Sequence, residues 1–302
     1  MKMVMLYHNP VLLFESIDGL AIREDGVYVD VTFGGGGHSK EILKRLSSKG
    51  KLFAFDQDSD ALKNTIDDER FTLISANFRY IKRFLRSYGI TKVNGILADL
   101  GVSSHQFDEA QRGFSTRFEA DLDMRMDKNS SLSAYDIINK YKEEKLSNVL
   151  FQYGELRNAK AMAKTIVNAR KENEIKTSFA LKKILKKFLP NNKEHKILAQ
   201  IFQAIRIEVN QEIEVLKEFL LQTPDLLEKG GRLSVISYHS LEDRLVKRFI
   251  QNGKFEGEAE KDFYGNVNVP FKKEGKLIIP SDKEIKKNNR ARSAKLRIAV
   301  RN

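Results

Sequence analysis

The sequence predicts an α/β protein with a mostly parallel sheet that is interrupted by an all-helical insertion. Short apolar runs alternate with helical patterns over residues 27–99, and a further apolar run follows residue 230. This alternation is typical of parallel strands joined by crossover helices. Between residues 108 and 207 only helical patterns remain. A chain of 302 residues has room for one large domain with such an insertion.

The predicted strands follow the apolar runs in chain order. They are Val27–Val31, Leu52–Phe55, Phe71–Ile74, Gly95–Ala98 and Arg232–Ser237. Two late runs, Lys276–Ile279 and Lys295–Val300, are predicted to add edge strands. Helices are predicted between the first four strands at residues 38–48, 58–66 and 78–87.

The helical stretch divides the chain into two predicted domains. Its helices are predicted at residues 134–139, 145–152, 159–170, 178–188 and 195–210. We therefore expect a discontinuous sheet domain formed by residues 1–107 and 208–302, with an inserted helical domain at residues 108–207.

Composition excludes several kinds of site. The chain has no Cys, which excludes disulfides, Cys-ligated zinc, iron–sulfur clusters and thiol nucleophiles. Its five His show no metal-ligand spacing, so no metal site is predicted. The N-terminal apolar run is short and has no signal-peptide cleavage pattern, and no stretch reaches the ~20 apolar residues that span a bilayer. We expect a cytoplasmic protein with no membrane partner.

The net charge of +12 is concentrated in residues 142–196 and 283–301. Such an excess suggests a polyanion, nucleic acid before an anionic membrane. For residues 142–196, solvated helix faces explain the lysines better. In the C-terminal segment, basic residues cluster with small ones, which predicts an RNA contact. The predicted contact residues are Arg290, Arg292, Lys295 and Arg297.

A glycine-rich segment joins the first strand to a helix and predicts a cofactor site. It reads Asp30-Val-Thr-Phe-Gly-Gly-Gly-Gly-His-Ser39, and glycines there let the backbone pass close to a ligand. Asp56 lies 20 residues beyond Gly36, at the end of the next strand, where an acid can accept both ribose hydroxyls of a nucleoside. Asp99 ends the fourth strand, at the cofactor's reacting end.

Two cofactors use such an arrangement, a dinucleotide and S-adenosylmethionine. The dinucleotide fingerprint would need Gly at position 39, which is Ser. Asp30 would lie poorly beside a pyrophosphate, but it suits the amino group of S-adenosylmethionine, directly or through water. S-adenosylmethionine is favoured, since a tight strand-to-helix turn with capping acids would explain any one of these features but not all of them.

Eleven short segments, spread over nearly the whole chain, resemble one known family. They lie at residues 8–13, 32–39, 55–58, 77–78, 98–106, 112–115, 122–127, 153–155, 206–212, 237–244 and 290–297. In this order they resemble the small-subunit (16S) ribosomal RNA cytosine-N4 methyltransferases of the RsmH (MraW) type. The departures, at Leu156, Asn289 and residues 119–121, lie outside the predicted cofactor pocket.

The resemblance implies a class I S-adenosylmethionine-dependent methyltransferase (Rossmann-like) sheet with an inserted all-helical domain that recognises the RNA. The implied reaction is methyl transfer to the exocyclic N4 of one cytidine in small-subunit ribosomal RNA, near the decoding centre. Phe78 would pack on the adenine, and Gln106 would lie near the methionine end. The implied cofactor contacts are Gly36, Gly37, His38, Asp56, Phe78, Asp99 and Gln106. The implied substrate is the assembled or nearly assembled subunit, and the family admits a homodimer.

Cytosine N4 is a poor nucleophile, so the reaction needs an acceptor for an amino proton and close in-line approach. Residues 99–102 lack the Pro pair and the aromatic residue of many amino-methyltransferases. We expect Asp99 or a nearby backbone carbonyl to accept the amino hydrogen bond. The resemblance implies a flipped or single-stranded base. Tyr238 is expected to stack on the base and His239 to bond its edge or carry a proton. Ser240 and Asp243 are better explained as caps of the following helix.

Other functions are less consistent with the residues. A dehydrogenase is disfavoured by Ser39 and Asp30. An RNA-binding assembly factor with a vestigial pocket is disfavoured by the intact glycine loop and acids. Methylation of pyrimidine C5 usually needs a Cys adduct, which this chain cannot form.

Overall fold

A seven-stranded sheet forms the centre of one of two compact units. The computed structural model describes residues 10–259, 263–264 and 267–302. The strands are β1 (Val27–Asp30), β2 (Lys51–Asp56), β3 (Phe71–Ser75), β4 (Val93–Asp99), β5 (Leu227–Ser237), β6 (Phe271–Ile278) and β7 (Lys295–Arg301). They are ordered β3-β2-β1-β4-β5-β7-β6. The first five are parallel, and β7 pairs antiparallel with both β5 and β6. The predicted α/β class is confirmed.

The last strand is not at the edge of the sheet, contrary to the sequence prediction. Strand β7 lies between β5 and β6, and only β6 is an edge strand. Leu296 and Ala299 of β7 are fully buried, whereas residues 272–277 of β6 are exposed. An interior position suits the apolar β7, and the lysine-rich β6 suits the solvated edge.

Twelve α-helices are described. They are α1 (Leu13–Gly19), α2 (Gly37–Arg45), α3 (Ile81–Ser87), α4 (Ser104–Asp108), α5 (Ala134–Lys140), α6 (Glu143–Gln152), α7 (Ala159–Ala169), α8 (Ser178–Ile184), α9 (Glu194–Asn210), α10 (Glu212–Leu226), α11 (Ser240–Asn252) and α12 (Asp282–Lys287). The helix predicted at 58–66 is a 3₁₀ helix at Ser59–Asn64, and the one at 78–87 begins as a 3₁₀ turn before α3. None of the described helices has both the length and the apolar composition needed to cross a bilayer.

Helices cover both faces of the sheet, as a buried parallel sheet requires. Side chains of β4 alternate between two apolar clusters. Ile96 and Ala98 face a cluster with residues of α3, α10 and α11. Leu97 faces the other cluster, with residues of α1 and α2. The sheet unit comprises the described residues of Met1–Gly101 and Ile213–Asn302.

The second unit, Val102–Glu212, is helical and has its own apolar core. It begins six residues earlier and ends five residues later than the predicted insertion at 108–207. At the first boundary, a capping box of Ser103 and Gln106 begins α4, a short helix that the sequence pattern does not show. At the second boundary, α9 ends at Asn210, as its predicted helix does, and all of it belongs to the helical unit.

Several segments that carry the family resemblance hold this helical unit together. Arg112 is 7% exposed and donates to the backbone carbonyls of Arg125 and Met126. Asn210 accepts from the Met126 N–H and donates to the Met124 carbonyl. These contacts satisfy buried polar groups, so the matched motifs here have a structural role.

Candidate active site

Three aspartates end three neighbouring parallel strands. Asp30 ends β1, Asp56 ends β2 and Asp99 ends β4, and β1 lies between the other two. Adjacent strands are about 4.8 Å apart, so the three carboxyl groups share one edge of the sheet. In doubly wound sheets ligands bind at the carboxyl ends of the strands, where the order reverses. Here the order reverses between β1 and β4.

The glycine run after β1 makes the tight turn that the sequence predicts. Gly34 and Gly36 have φ of 51° and 73°, in the left-handed region that favours glycine. Gly36 precedes α2, and a Cβ on it would lie 2.9 Å from the Phe33 ring. A Cβ on Gly37 would lie 2.2 Å from Pro10 Cγ. Gly37 is thus required for packing of the chain before α1. His8 and Asn9 of the same matched segment lie outside the described residues.

Asp56 anchors this glycine turn. Its Oδ2 accepts from the Gly34 N–H at 2.8 Å, and its Oδ1 accepts from the Asp58 N–H at 2.8 Å. Burial raises the pKa of Asp56 to about 6, although these two backbone hydrogen bonds oppose the shift. A carboxylate oxygen accepts more than one hydrogen bond, so the side chain retains capacity for two ribose hydroxyls. Its contact with the cofactor stays a prediction.

Asp30 lies beneath the glycine turn instead of at the surface. It is 1% exposed, and its oxygens accept from Ser39 Oγ at 2.7 Å and from the Thr32 N–H at 3.1 Å. Burial raises its pKa, and the nearby His38 opposes that shift. These contacts give Asp30 a role in holding the start of α2, and its predicted contact with an amino group, directly or through water, stays a prediction. Ser39, which the sequence analysis used only against a dinucleotide, is the partner.

His38 is buried between the backbone carbonyl of Val11 and the carboxyl group of Asp99. It is 5% exposed, its Nε2 lies 3.2 Å from the Val11 carbonyl oxygen, and its Nδ1 lies 3.9 Å from Asp99 Oδ2. The ring therefore faces Asp99 from within the protein. At this distance the ring acts on the Asp99 carboxyl group electrostatically, and the implied cofactor contact of His38 stays a prediction.

Asp99 is the best-supported reactive group of the edge. Its backbone N–H donates to Thr32 Oγ1 at 2.7 Å, and its Oδ1 accepts from the Tyr238 hydroxyl at 2.7 Å. Its side chain is 22% exposed. Burial raises the pKa of Asp99 to about 6, with His38 and the Tyr238 hydrogen bond opposing the rise. The residue is thus held in one orientation and is mostly ionised at pH 7.

Tyr238 directs its hydroxyl at Asp99. Its ring packs against an apolar cluster that includes Val11 and Leu296. Burial and the neighbouring Asp99 carboxylate raise the pKa of Tyr238 well above its usual value, so the phenol stays a neutral donor. Sequence reasoning proposed base stacking and missed this hydrogen bond. The hydrogen bond could have been inferred from the position of Tyr238, which directly follows β5, the neighbour of β4 in the sheet.

His239 begins helix α11 and is held there by a capping box. Its Nδ1 accepts from the Glu242 N–H at 3.3 Å, and its Nε2 lies 3.1 Å from Glu242 Oε1. Its side chain is 7% exposed. The helix cap is therefore His239, whereas the prediction assigned it to Ser240 and Asp243. The cap uses Nδ1, whereas the buried Nε2 makes no hydrogen bond among the described residues. The predicted bond to the edge of a base, or transfer of a proton, stays a prediction.

The two remaining cofactor predictions lie in different units. Phe78, just after β3, packs edge-on against Phe219 with the ring centroids 5.3 Å apart, and it is half-buried. Gln106 belongs to the helical unit, where its side chain accepts from the Ser103 N–H at 3.0 Å. Both cofactor contacts stay predictions.

Two of the four C-terminal basic residues form ion pairs within the sheet unit, and the other two lie in a short 3₁₀ helix. Arg297 is 14% exposed in its side chain and donates to Asp243 at 2.7 Å, and Lys295 donates to the same carboxylate at 3.2 Å. These two cations stabilise the sheet unit. Arg290 and Arg292 lie in the 3₁₀ helix Asn289–Ser293, and Arg292 is exposed.

The donor set at this edge fits S-adenosylmethionine. The partly exposed carboxyl group of Asp99 favours a cation at this edge, and this cofactor carries a sulfonium. The same carboxyl group would repel a pyrophosphate. Gly34 and Gly36 adopt a turn in which side chains are strained, which leaves the backbone accessible to a nucleoside.

Comparison with known proteins gives a match along the chain. A family model described as the MraW methylase family matches residues 5–302. A protein of Christiangramia forsetii named Ribosomal RNA small subunit methyltransferase H is 68% identical over 299 residues, 99% of each chain. The protein of that name from Bacteroides thetaiotaomicron is 54% identical over 294 residues, 97% of each chain. The solved structure of an rRNA methylase from Streptococcus thermophilus covers 99% of both chains, with a TM-score of 0.44 and 14% identity.

Proposed function

The chain belongs to the MraW methylase family, and from this premise we propose that it methylates the exocyclic N4 of one cytidine in small-subunit ribosomal RNA, with S-adenosylmethionine as cofactor. One observation carries the proposal. Proteins named Ribosomal RNA small subunit methyltransferase H share 68% identity with this chain over 99% of both lengths. The class I methyltransferase fold with its helical insertion agrees with that assignment.

The reaction forms an N4–CH₃ bond, breaks an S–CH₃ bond and releases one proton from the amino group. S-adenosylmethionine supplies the methyl group as the electrophilic substituent of a sulfonium. Asp99 accepts the hydrogen bond of the amino group and then its proton, which passes to solvent. Because its pKa is about 6, roughly nine tenths of the free protein carries an ionised Asp99 at pH 7.

The neighbours of Asp99 position it for this role. Tyr238 donates to Oδ1 and thereby leaves Oδ2 and the remaining lone pairs for the base. Thr32 fixes the backbone of Asp99 from the glycine turn, so the turn and the acceptor move together. Asp56 orients the ribose and Phe78 packs on the adenine, as the resemblance implies. A prealigned acceptor lowers the barrier because little reorganisation remains in the transition state.

RNA recognition is assigned to the helical unit and the C-terminal segment. The resemblance supports the helical unit, and the exposed Arg292 supports the C-terminal segment through its charge. We place the reaction in the cytoplasm, on the assembled or nearly assembled subunit, where a decoding-centre cytidine has its final surroundings. A homodimer agrees with the family resemblance.

The test is a labelling experiment with the full chain. Small subunits that lack the modification are incubated with the protein and methyl-labelled S-adenosylmethionine, and the methylated nucleotide is mapped. The proposal expects one labelled cytidine, with label on N4, and loss of labelling in an Asp99→Ala variant that still binds the cofactor. Absence of label in small-subunit RNA would overturn it. Incubation of free RNA in parallel distinguishes the assembly stage.

A further inference from the structure

A cleft between helix α11 and the edge strand β6 carries positive charge that the sequence analysis did not single out. Three exposed lysines line it, and we name them the β6 lysine surface: Lys247 of α11 with Lys273 and Lys276 of β6. The rest of its lining is mixed and comprises Ile250, Gln251, Glu274, Leu277, Arg297 and Ile298.

A bulge in β6 brings both strand lysines to one cleft. In a regular strand, residues three apart point to opposite faces. Between Glu274 and Ile278 the register against β7 shifts, because these residues pair with Ile298 and Leu296, only two residues apart. Gly275 within the bulge has φ of 63°, a left-handed conformation that glycine adopts without strain. Lys273 and Lys276 consequently line the same cleft.

The acids near the cleft already have partners. Glu274 lies 3.1 Å from the guanidinium of Arg232, and Asp243 binds Arg297 and Lys295. Over the described residues, the lysines of the β6 lysine surface make no ion pair. Their charge is therefore available to an external anion.

Strand β6 runs from the β6 lysine surface towards the catalytic edge. Lys273 pairs with Ala299, which pairs with Leu233, four residues before the end of β5. Leu296 of β7 pairs with Ile236 of β5 on one side and with Ile278 of β6 on the other. The end of β6 therefore lies two strand spacings, about 10 Å, from the end of β5. Tyr238, which holds Asp99, follows β5 directly.

We propose that the β6 lysine surface binds backbone phosphates of the substrate RNA beside the target cytidine. The inference rests on the proposed function and adds to it a docking surface. Lysines on an edge strand also discourage pairing between sheet edges. That effect explains Lys273 and Lys276 but not Lys247, which lies on a helix and lines the same cleft.

The test compares two triple variants of the full chain. The first is Lys247→Gln with Lys273→Gln and Lys276→Gln. The control replaces three exposed lysines at the amino edge of the same sheet, Lys49→Gln with Lys51→Gln and Lys229→Gln. Both remove the same charge, so a difference between them reports on position. The probe is small-subunit ribosomal RNA that lacks the modification. Its Kd is measured at KCl concentrations between about 50 and 250 mM, because phosphate contacts make the affinity fall as salt rises.

We expect the β6 variant to weaken RNA binding about tenfold at 100 mM KCl and to lower the slope of log Kd against log salt by about 2. Its Kd for S-adenosylmethionine and its rate with saturating RNA should equal those of the wild type. An RNA affinity and salt slope equal to those of the control would overturn the inference and leave edge protection as the role of these lysines. If the wild type itself transfers no methyl group to the RNA, the proposed function fails instead.

Discussion

Replacing Tyr238 with Phe removes one hydroxyl, the group that donates to Asp99 Oδ1 at 2.7 Å. The ring and its packing against the apolar cluster remain. Because the hydroxyl stabilises the charged form of Asp99, its loss raises the pKa of that carboxyl above about 6. The variant should therefore need a higher pH than the wild type to transfer methyl groups.

The size of the shift follows from the strength of the bond. A hydrogen bond to a charged group is worth about 1.5–3 kcal/mol, which at 1.36 kcal/mol per unit is about 1–2 pKa units. The pKa of Asp99 would then lie at about 7–8, and the ionised fraction at pH 7 would fall from about nine tenths to between about a half and a tenth. The loss of rate is thus about two- to tenfold at pH 7 and vanishes near pH 9.

The assay measures kcat/KM for S-adenosylmethionine from pH 5.5 to 9.5, because this ratio reports the pKa of the form without cofactor. Tyr88→Phe, which changes an exposed tyrosine of the sheet unit, is the matched control and should leave the profile unchanged. If Tyr238→Phe lowers the rate by one factor at every pH, with the inflection unmoved, Tyr238 does not act through Asp99. The stacking role predicted from the sequence would then explain the loss.

Three further substitutions test the assigned roles. Asp99→Asn should raise the free energy of unfolding of the cofactor-free protein by about 1–3 kcal/mol at pH 8 and leave it unchanged near pH 4. The reason is that an acid whose pKa is raised by folding destabilises the folded protein only at a pH where it is ionised. Urea titrations at the two pH values measure this, and equal effects at both would contradict it. Gly37→Ala should lower the free energy of unfolding by about 1–3 kcal/mol, because the added Cβ would lie 2.2 Å from Pro10 Cγ. An unchanged midpoint of urea unfolding would refute this clash. Arg297→Ala should lower the thermal midpoint of unfolding, because the half-buried Asp243 loses one of its two cationic partners, and RNA affinity should stay within about twofold. Weaker RNA binding at unchanged stability would instead support the RNA contact predicted from the sequence.

Local patterns predicted the sheet and its acids well. Strands β1 to β5 follow apolar runs, and the aspartates that end β1, β2 and β4 come directly after them. Parallel strands place their carboxyl ends at one edge, so chain position alone brings these acids together. The glycine turn was equally readable, because a left-handed φ such as that of Gly36 favours glycine.

Long-range pairings were not readable in this way. The place of β7 inside the sheet depends on its antiparallel pairing with β5 and β6, and no local pattern encodes a partner. The hydrogen bond between Tyr238 and Asp99 joins residues 139 positions apart. The cap of α11 was missed because His239 is an unusual cap residue, whereas Ser and Asp are common ones.

The site owes its chemistry to acids that burial destabilises. Asp56 and Asp99 each have a pKa of about 6 because the protein removes them from water, and Asp30 is raised in the same way. At neutral pH the folded protein thus holds Asp56 and Asp99 as carboxylates that a cation would stabilise. A ligand with positive charge recovers this free energy on binding, and a neutral product recovers less of it. The arrangement that weakens the free protein therefore favours uptake of S-adenosylmethionine and release of the demethylated product.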